Sequence, residues 1–293
     1  MSAVSSSSEF SNSFEAVITS RRNPLVRRLR ELHQPRGRRE QGLLLLEGTH
    51  LLQEVLRLGL QPDLLLATPA WLDRHPALLA ALPATTRRQA ASPEVLEVAA
   101  TTRHPDGVLL TLAPPPPPLA SAPLPGFVLA LDQLQDPGNL GTLLRTALAA
   151  GVEQVWLGEG ADPLQPKVLR ASSGAALALP LIRFDGAGLQ ERLQQARAQR
   201  LQVVAAVVPA PGLPVPPPYW QLDWTLPTVL LLGNEGAGLG AALTDLADHR
   251  VTIPHSPAVE SLNVAVAAAP LLLERWRQGL QAINVQPAQG ACG

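Results

Sequence analysis

The chain has 293 residues, of which 46% are hydrophobic, 16% charged and 3% aromatic, and its formal net charge is −1. That length predicts two domains at roughly 100–200 residues each, and the apolar share excludes a wholly disordered chain. No apolar run approaches the ~20 residues of a membrane span, and a single cysteine, Cys292, excludes a disulfide framework or cysteine zinc site and fits a reducing cytosol.

Residues 1–17 are Ser-rich and lack the apolar core of a secretory signal, which predicts a disordered tail. A small α/β unit is predicted over 18–112. Asn23-Pro24 opens a basic helical stretch, with eight arginines between Arg21 and Arg39 against one acid, Glu31. Such a cluster is a phosphate-contacting surface or a solvated helix face, and charge alone does not decide between them. Residues 43–46 read as a buried strand, 47–58 as a helix, 63–67 as a strand, a helix starts near Pro69, and 108–112 read as a last strand. This segment holds thirteen arginines against nine acids.

Thirty prolines are about twice the usual share, and thirteen of them fall in two clusters, 114–125 and 209–218. The first cluster predicts a stiff, extended linker over 113–126. A second domain follows over 127–280, with ten basic and thirteen acidic residues, and a tail over 281–293. Strands are predicted at 127–131, 155–157, 201–208, 229–232 and 251–253, and helices at 138–150, 189–200 and 263–278. The alternation predicts a parallel sheet flanked by helices, Rossmann-like in pattern.

Three segments of this domain set Gly, Asn or Ser at the carboxyl end of a strand, where open α/β sheets bind ligands. The first runs from Leu131 through Asp136-Pro137-Gly138-Asn139-Leu140-Gly141 to Arg145. Asn139 is placed to cap the helix or to face a ligand. The second is Leu232-Gly233-Asn234-Glu235-Gly236-Ala237-Gly238. Its glycines permit tight turns and close approach to a ligand, while Glu235 would repel phosphate and so favours adenosine or a positively charged cofactor. The third is Ile253-Pro254 with Glu260-Ser261-Leu262-Asn263, whose Ser261 and Asn263 can both cap the next helix. The Gly-rich loop comes too late in its domain for a dinucleotide fingerprint, which disfavours a nicotinamide oxidoreductase.

In order and spacing, the three segments together resemble the SpoU (TrmH-like) RNA ribose 2′-O-methyltransferases of the SPOUT superfamily. Asp162, the run from Lys167 to Ser172, and Gly174 are similar to that family's intervening segment. Ile18-Thr19-Ser20, Asn23-Pro24 and Leu46-Glu47-Gly48 resemble the substrate-binding domain of its rRNA-type members. The resemblance implies a C-terminal SPOUT α/β knot, a deep trefoil knot on a mostly parallel sheet, behind a smaller N-terminal α/β RNA-binding domain. It implies methyl transfer from S-adenosylmethionine to a ribose 2′-hydroxyl of structured RNA, rRNA before tRNA, by a cytoplasmic homodimer joined through the knot and using no metal. It assigns cofactor binding to Leu232, Gly233, Asn234, Gly236, Ile253 and Leu262, and catalysis to Arg145, Asn139, Glu235, Ser261 and Asn263. Arg21, Arg22, Asn23, Arg27, Arg28, Arg36, Arg38 and Arg39 would hold RNA. His255 departs from the family pattern, standing where many members have Met, and Leu273 takes a common Tyr position. The alternative reading is a knotted RNA-binding or ribosome-assembly factor without catalysis.

Overall fold

Seven helices of the described chain begin on proline, each except the one at Pro76 directly after a residue in extended or near-extended conformation: Pro24, Pro35, Pro69, Pro76, Pro93, Pro137 and Pro166. Proline at a helix start gives up an N–H that has no intrahelical partner there, and its fixed φ suits the first turn. Much of the proline excess outside the two clusters therefore marks helix starts. The computed structural model describes residues 15–116, 118, 124–209, 212 and 214–284. The expected tails up to 14 and from 285, and parts of both proline clusters, lie outside the described residues. Residues to 113 and from 114 onward form two units.

The first unit runs β1 (Glu15–Ile18), α1 (Pro24–Glu31), α2 (Pro35–Gln41), β2 (Leu44–Glu47), α3 (Thr49–Arg57), β3 (Leu64–Ala67), α4 (Pro69–Arg74), α5 (Pro76–Ala81), β4 (Arg87–Ala91), α6 (Pro93–Ala99) and β5 (Val108–Leu112). Its sheet order is β1-β4-β3-β5-β2, parallel on the β1-β4-β3 side and antiparallel at β5. β1 begins inside the stretch expected to be a tail, because Glu15–Ile18 pairs with β4. β4 itself, Arg-Arg-Gln-Ala-Ala, carries no apolar alternation. Pairing with β3 on one edge and β1 on the other makes it a strand. Glu47 is buried, and its carboxylate accepts from the N–H groups of Thr101 (3.0 Å) and Thr102 (3.2 Å), which anchors the loop before β5.

The second unit runs β6 (Phe127–Leu131), α7 (Pro137–Ala149), β7 (Gln154–Leu157), α8 (Pro166–Ala171), α9 (Ala175–Ala178), β8 (Leu181–Arg183), α10 (Gly186–Ala198), β9 (Gln202–Ala206), β10 (Thr228–Leu232), α11 (Ala241–Thr244), β11 (His249–Val251) and α12 (Val264–Asn284). Its six strands are parallel, in the order β11-β9-β10-β6-β7-β8. β6 and β10 are buried along their whole length, as expected for central parallel strands. Val128, Ala130, Trp156, Val203, Val229 and Leu231 pack with Leu189 and Leu193 of α10 on one face. α7 and α8 approach closely because position 141 is glycine. A Cβ there would overlap the Ala171 methyl and lie 2.9 Å from the Ser172 nitrogen.

The β9–β10 connection, which carries the second proline cluster, contacts the β11 segment from two sides. β11 pairs with β9 on one edge, where the Val207 N–H also donates to the Val251 carbonyl (3.0 Å). On the other side Thr252 donates to Pro217 O and accepts from the Tyr219 N–H, both at 3.0 Å. One connection, from β9 to β10, thus hems the C-terminal segment on both flanks. A deep trefoil knot requires such an arrangement, and a Rossmann sheet has no counterpart to it.

Candidate cofactor cavity and active site

Three loops meet at the carboxyl ends of β6, β10 and β11. The loop after β10 is closed on itself: Asn234 N–H donates to Gly238 O (2.9 Å) and Gly238 N–H to Asn234 O (3.0 Å). The Asn234 side-chain oxygen accepts from the N–H groups of Gly236 (2.8 Å) and Ala237 (2.9 Å), and its amide donates to the Gln133 carbonyl (2.9 Å). Gly233 is required here. A Cβ at that position would overlap the Gly238 carbonyl and lie 2.6 Å from the Leu239 nitrogen, both backbone atoms that cannot step aside.

Glu235 binds this loop to the one after β6. Its carboxylate accepts from the N–H groups of Gln135 and Asp136, both at 3.3 Å, and from the side-chain amide of Asn139 at 3.2 Å. Burial raises the Glu235 pKa, but hydrogen bonds from its own N–H, Asn139, Asp136 and Gln135 outweigh that and hold it below its ordinary value. The Asn139 oxygen accepts from the Asn263 amide (3.0 Å). The Asn263 oxygen accepts from Ala265 N–H (3.0 Å) and Val266 N–H (3.3 Å), capping α12. Glu235, Asn139 and Asn263 therefore form one chain of hydrogen bonds through all three segments.

Asn139 does not cap α7. Asp136 does, accepting from the Asn139 N–H at 2.8 Å, and this bond is the main reason the Asp136 carboxyl is held below the usual range. Pro137 as the first helical residue leaves the capping position to its predecessor. The Asn139 side chain is thereby released to bridge Glu235 and Asn263.

Beneath the loops lies a cavity of about 380 Å³. Its apolar wall includes Val207, Leu232, Leu239, Val251, Ile253 and Leu262, and its polar lining includes Glu235, Thr244, Thr252, His255 and Ser261. Gly233, Asn234 and Gly236 complete the set, so every residue assigned to the cofactor by resemblance faces one cavity. Among the described residues, no lysine or arginine lines it. The donor set is wrong for a diphosphate and fits a ligand with an apolar ring and a positive centre, as S-adenosylmethionine has. Spacing did not single out Val207 or Thr244. They enter the lining through the folding of the β9–β10 connection and α11 around β11.

Arg145 lies outside the lining, exposed on α7, and makes no hydrogen bond or ion pair among the described residues. Asp132, at the end of β6, is buried, and burial together with nearby Glu159 pushes its carboxyl up. Within the first unit, Arg21, Arg22, Arg27, Arg28 and Arg39 are exposed. Arg36 is exposed too, and pairs with Glu40 at 2.6 Å. Two expected RNA contacts have other roles. Arg38 is buried, with its guanidinium donating to Leu32 O (2.9 Å) and His33 O (3.1 Å). The Asn23 oxygen caps α1 through Leu25 N–H (2.8 Å). Among the described residues, no cluster of three or more His, Cys, Asp or Glu could hold a metal, and no helix is long and apolar enough to cross a membrane.

Comparison with known proteins is specific. Residues 126–273 match the SpoU rRNA Methylase family, and residues 23–110 match the MRM3-like substrate binding domain. An uncharacterised tRNA/rRNA methyltransferase of Synechocystis is 44% identical over 270 residues, covering 90% of this chain and 94% of the relative. The 23S rRNA (guanosine(2553)-2′-O)-methyltransferase RlmP of Bacillus subtilis is 33% identical over 257 residues, covering 87% and 97%. Among solved structures, an RNA 2′-O ribose methyltransferase superposes with a TM-score of 0.78 at 30% identity, covering 90% of this chain and all of that one. An AdoMet-bound rRNA methyltransferase from Sinorhizobium meliloti gives 0.75 at 31% identity, covering 89% and 97%.

Proposed function

We propose, from the premise that this chain belongs to the SpoU rRNA methylase family, that it is an S-adenosylmethionine-dependent methyltransferase acting on a ribose 2′-hydroxyl of rRNA. The observation that carries this reading is the cavity with no lysine or arginine among its described lining residues, roofed by three loops that the Glu235–Asn139–Asn263 chain ties together. Leu232, Gly233, Asn234, Gly236, Ile253 and Leu262 would hold the cofactor, which when bound supplies an electrophilic methyl group on a sulfonium.

The protein's part is positioning and charge. Glu235 puts a carboxylate on the cavity wall where a positive centre is to be held. Asn139, fixed at both ends of its amide, orients what enters above it, and Ser261 shapes the wall beside Leu262. A guanidinium offers only donors and no acceptor, so Arg145 is a poor base. Its exposed position suits it instead to hold an RNA phosphate and to stabilise the alkoxide as the hydroxyl loses its proton. Residues 18–112 would grip RNA through the exposed arginines, and 113–126 would link that domain to the methyltransferase domain over 127–280.

The enzyme would act in the cytoplasm during rRNA processing, as a homodimer. An exposed apolar row on α12 supports the dimer: Val266, Leu273, Trp276 and Leu280 are 60%, 47%, 50% and 48% exposed and recur at helical spacing. W276E is expected to shift sedimentation from dimer to monomer.

The direct test supplies purified protein with labelled S-adenosylmethionine and under-modified rRNA. Label in a ribose 2′-O-methyl nucleotide is the expected product. Cofactor binding without transfer to any RNA would instead fit the factor that has lost catalysis.

A further inference from the structure

We propose that His255 is a cofactor-binding residue whose Nε2 accepts a hydrogen bond from the adenosine part of S-adenosylmethionine. The proposal rests on the methyltransferase reading above and adds to it a side chain that the family resemblance does not assign.

His255 lines the cavity, and its Nδ1 lies 2.7 Å from the Ile253 carbonyl oxygen. A carbonyl oxygen can only accept, so Nδ1 must carry the hydrogen. In the neutral ring this leaves Nε2 with a lone pair and no hydrogen, an acceptor by elimination. No protein group among the described residues engages Nε2. The residue is therefore locked in one tautomer by the same segment that forms the cavity wall, with its unused nitrogen available to a ligand.

The described lining holds one carboxylate, that of Glu235, tied to Asn139 and Asn263, and a positive sulfonium suits it. His255 shares no hydrogen bond with that network. It is fastened to Ile253, in the wall that Val207, Val251 and Leu262 complete. An adenine ring suits this apolar side. Its amino group and the ribose hydroxyls are donors, and a buried donor without an acceptor costs affinity. His255 supplies the acceptor, at a position where a methionine sulfur would be a weak one.

Calorimetry on the full-length protein tests this with two ligands: S-adenosylhomocysteine, and 5′-methylthioadenosine, which keeps adenosine but lacks the amino-acid portion. H255M is expected to raise Kd about tenfold for both, the effect of one neutral hydrogen bond. H255Q keeps an amide oxygen and should lose less. Melting curves establish that each variant folds, and should H255M fail to fold, H255F, which keeps a planar ring without an acceptor, takes its place; a Kd equal to wild type for both ligands in the variant lacking the acceptor overturns the proposal. Weakening confined to S-adenosylhomocysteine would put the histidine on the amino-acid end and overturn the adenosine assignment. Unchanged Kd values with a fall in kcat would make His255 part of the chemistry and overturn it as well. Failure of the wild-type protein to bind either ligand overturns the methyltransferase reading itself.

Discussion

Replacing Glu235 by glutamine probes the carboxylate that joins the loop after β10 to the loop after β6 and, through Asn139, reaches the third segment. The carboxylate holds the Asn139 amide at 3.2 Å and two backbone N–H groups at 3.3 Å. All three bonds are long, and the side chain is only half-buried. The Asn139 bond therefore belongs at the low end for a charged acceptor, about 1.5 kcal/mol, or roughly tenfold in kcat/KM. E235Q keeps one oxygen, so the backbone N–H groups remain partly served and the main loss is at Asn139. N139A removes the same bond from the other side, together with its link to Asn263. If both act through this contact, E235Q/N139A should be only a few-fold worse than the worse single variant, a coupling of about 1–2 kcal/mol. Single-turnover methyl transfer to an rRNA fragment reads the cycle, with melting curves to separate local from global loss. The pH dependence has a definite sign. The Glu235 pKa is held below its ordinary value of 4.5, so its contribution is complete above that pH and is lost as pH falls through the lower folded value. The coupling should be the same at pH 7 and pH 6. Full additivity of the two variants would refute the hydrogen-bond chain as a working unit.

Three further outcomes are expected. G141A puts a methyl against Ala171 at the α7–α8 contact and should destabilise the methyltransferase domain by about 1–3 kcal/mol, read as a drop of several degrees in its Tm; an unchanged Tm would mean the helices part freely. R145A should lower kcat by about 100-fold or more with cofactor Kd within about twofold, and loss of cofactor binding would make the residue structural instead. R38A should destabilise the N-terminal domain through the unserved carbonyls of Leu32 and His33 yet leave the salt dependence of RNA binding unchanged. R27A/R28A should leave stability unchanged and flatten that dependence by about 0.7–0.9 in log–log slope per lost phosphate contact, so equal salt slopes for wild type and R27A/R28A would remove these arginines from the interface.

What could be read beforehand divides along a physical line. β5 and β6 fall at the expected residues because continuous runs such as Val-Leu-Leu-Thr-Leu and Phe-Val-Leu-Ala-Leu have one environment open to them, the middle of a sheet. β4 and β8 escaped notice because their partners, not their composition, make them strands. The site residues were legible as three motifs. Their wiring was less so: Asp136 and Asn139 are both good caps, and the decisive signal was Pro137 between them. Arg38 was indistinguishable from its neighbours by charge, and only the geometry of α1 and α2 turns it inward. The second proline cluster carried no local sign that Pro217 and Tyr219 would hydrogen-bond to Thr252 from the far side of β11.

That last contact bears on how the protein is made. Ribosomes deliver a chain from its amino end, so the β9–β10 connection exists before β11 and α12 have been synthesised. β11 is thus synthesised after both of its flanks: β9 with Val207 on one side, and Pro217 and Tyr219, bonded to Thr252, on the other. The last strand is bonded on both flanks by residues made before it, and Ile253 and Leu262, which line the cavity, follow it in the chain.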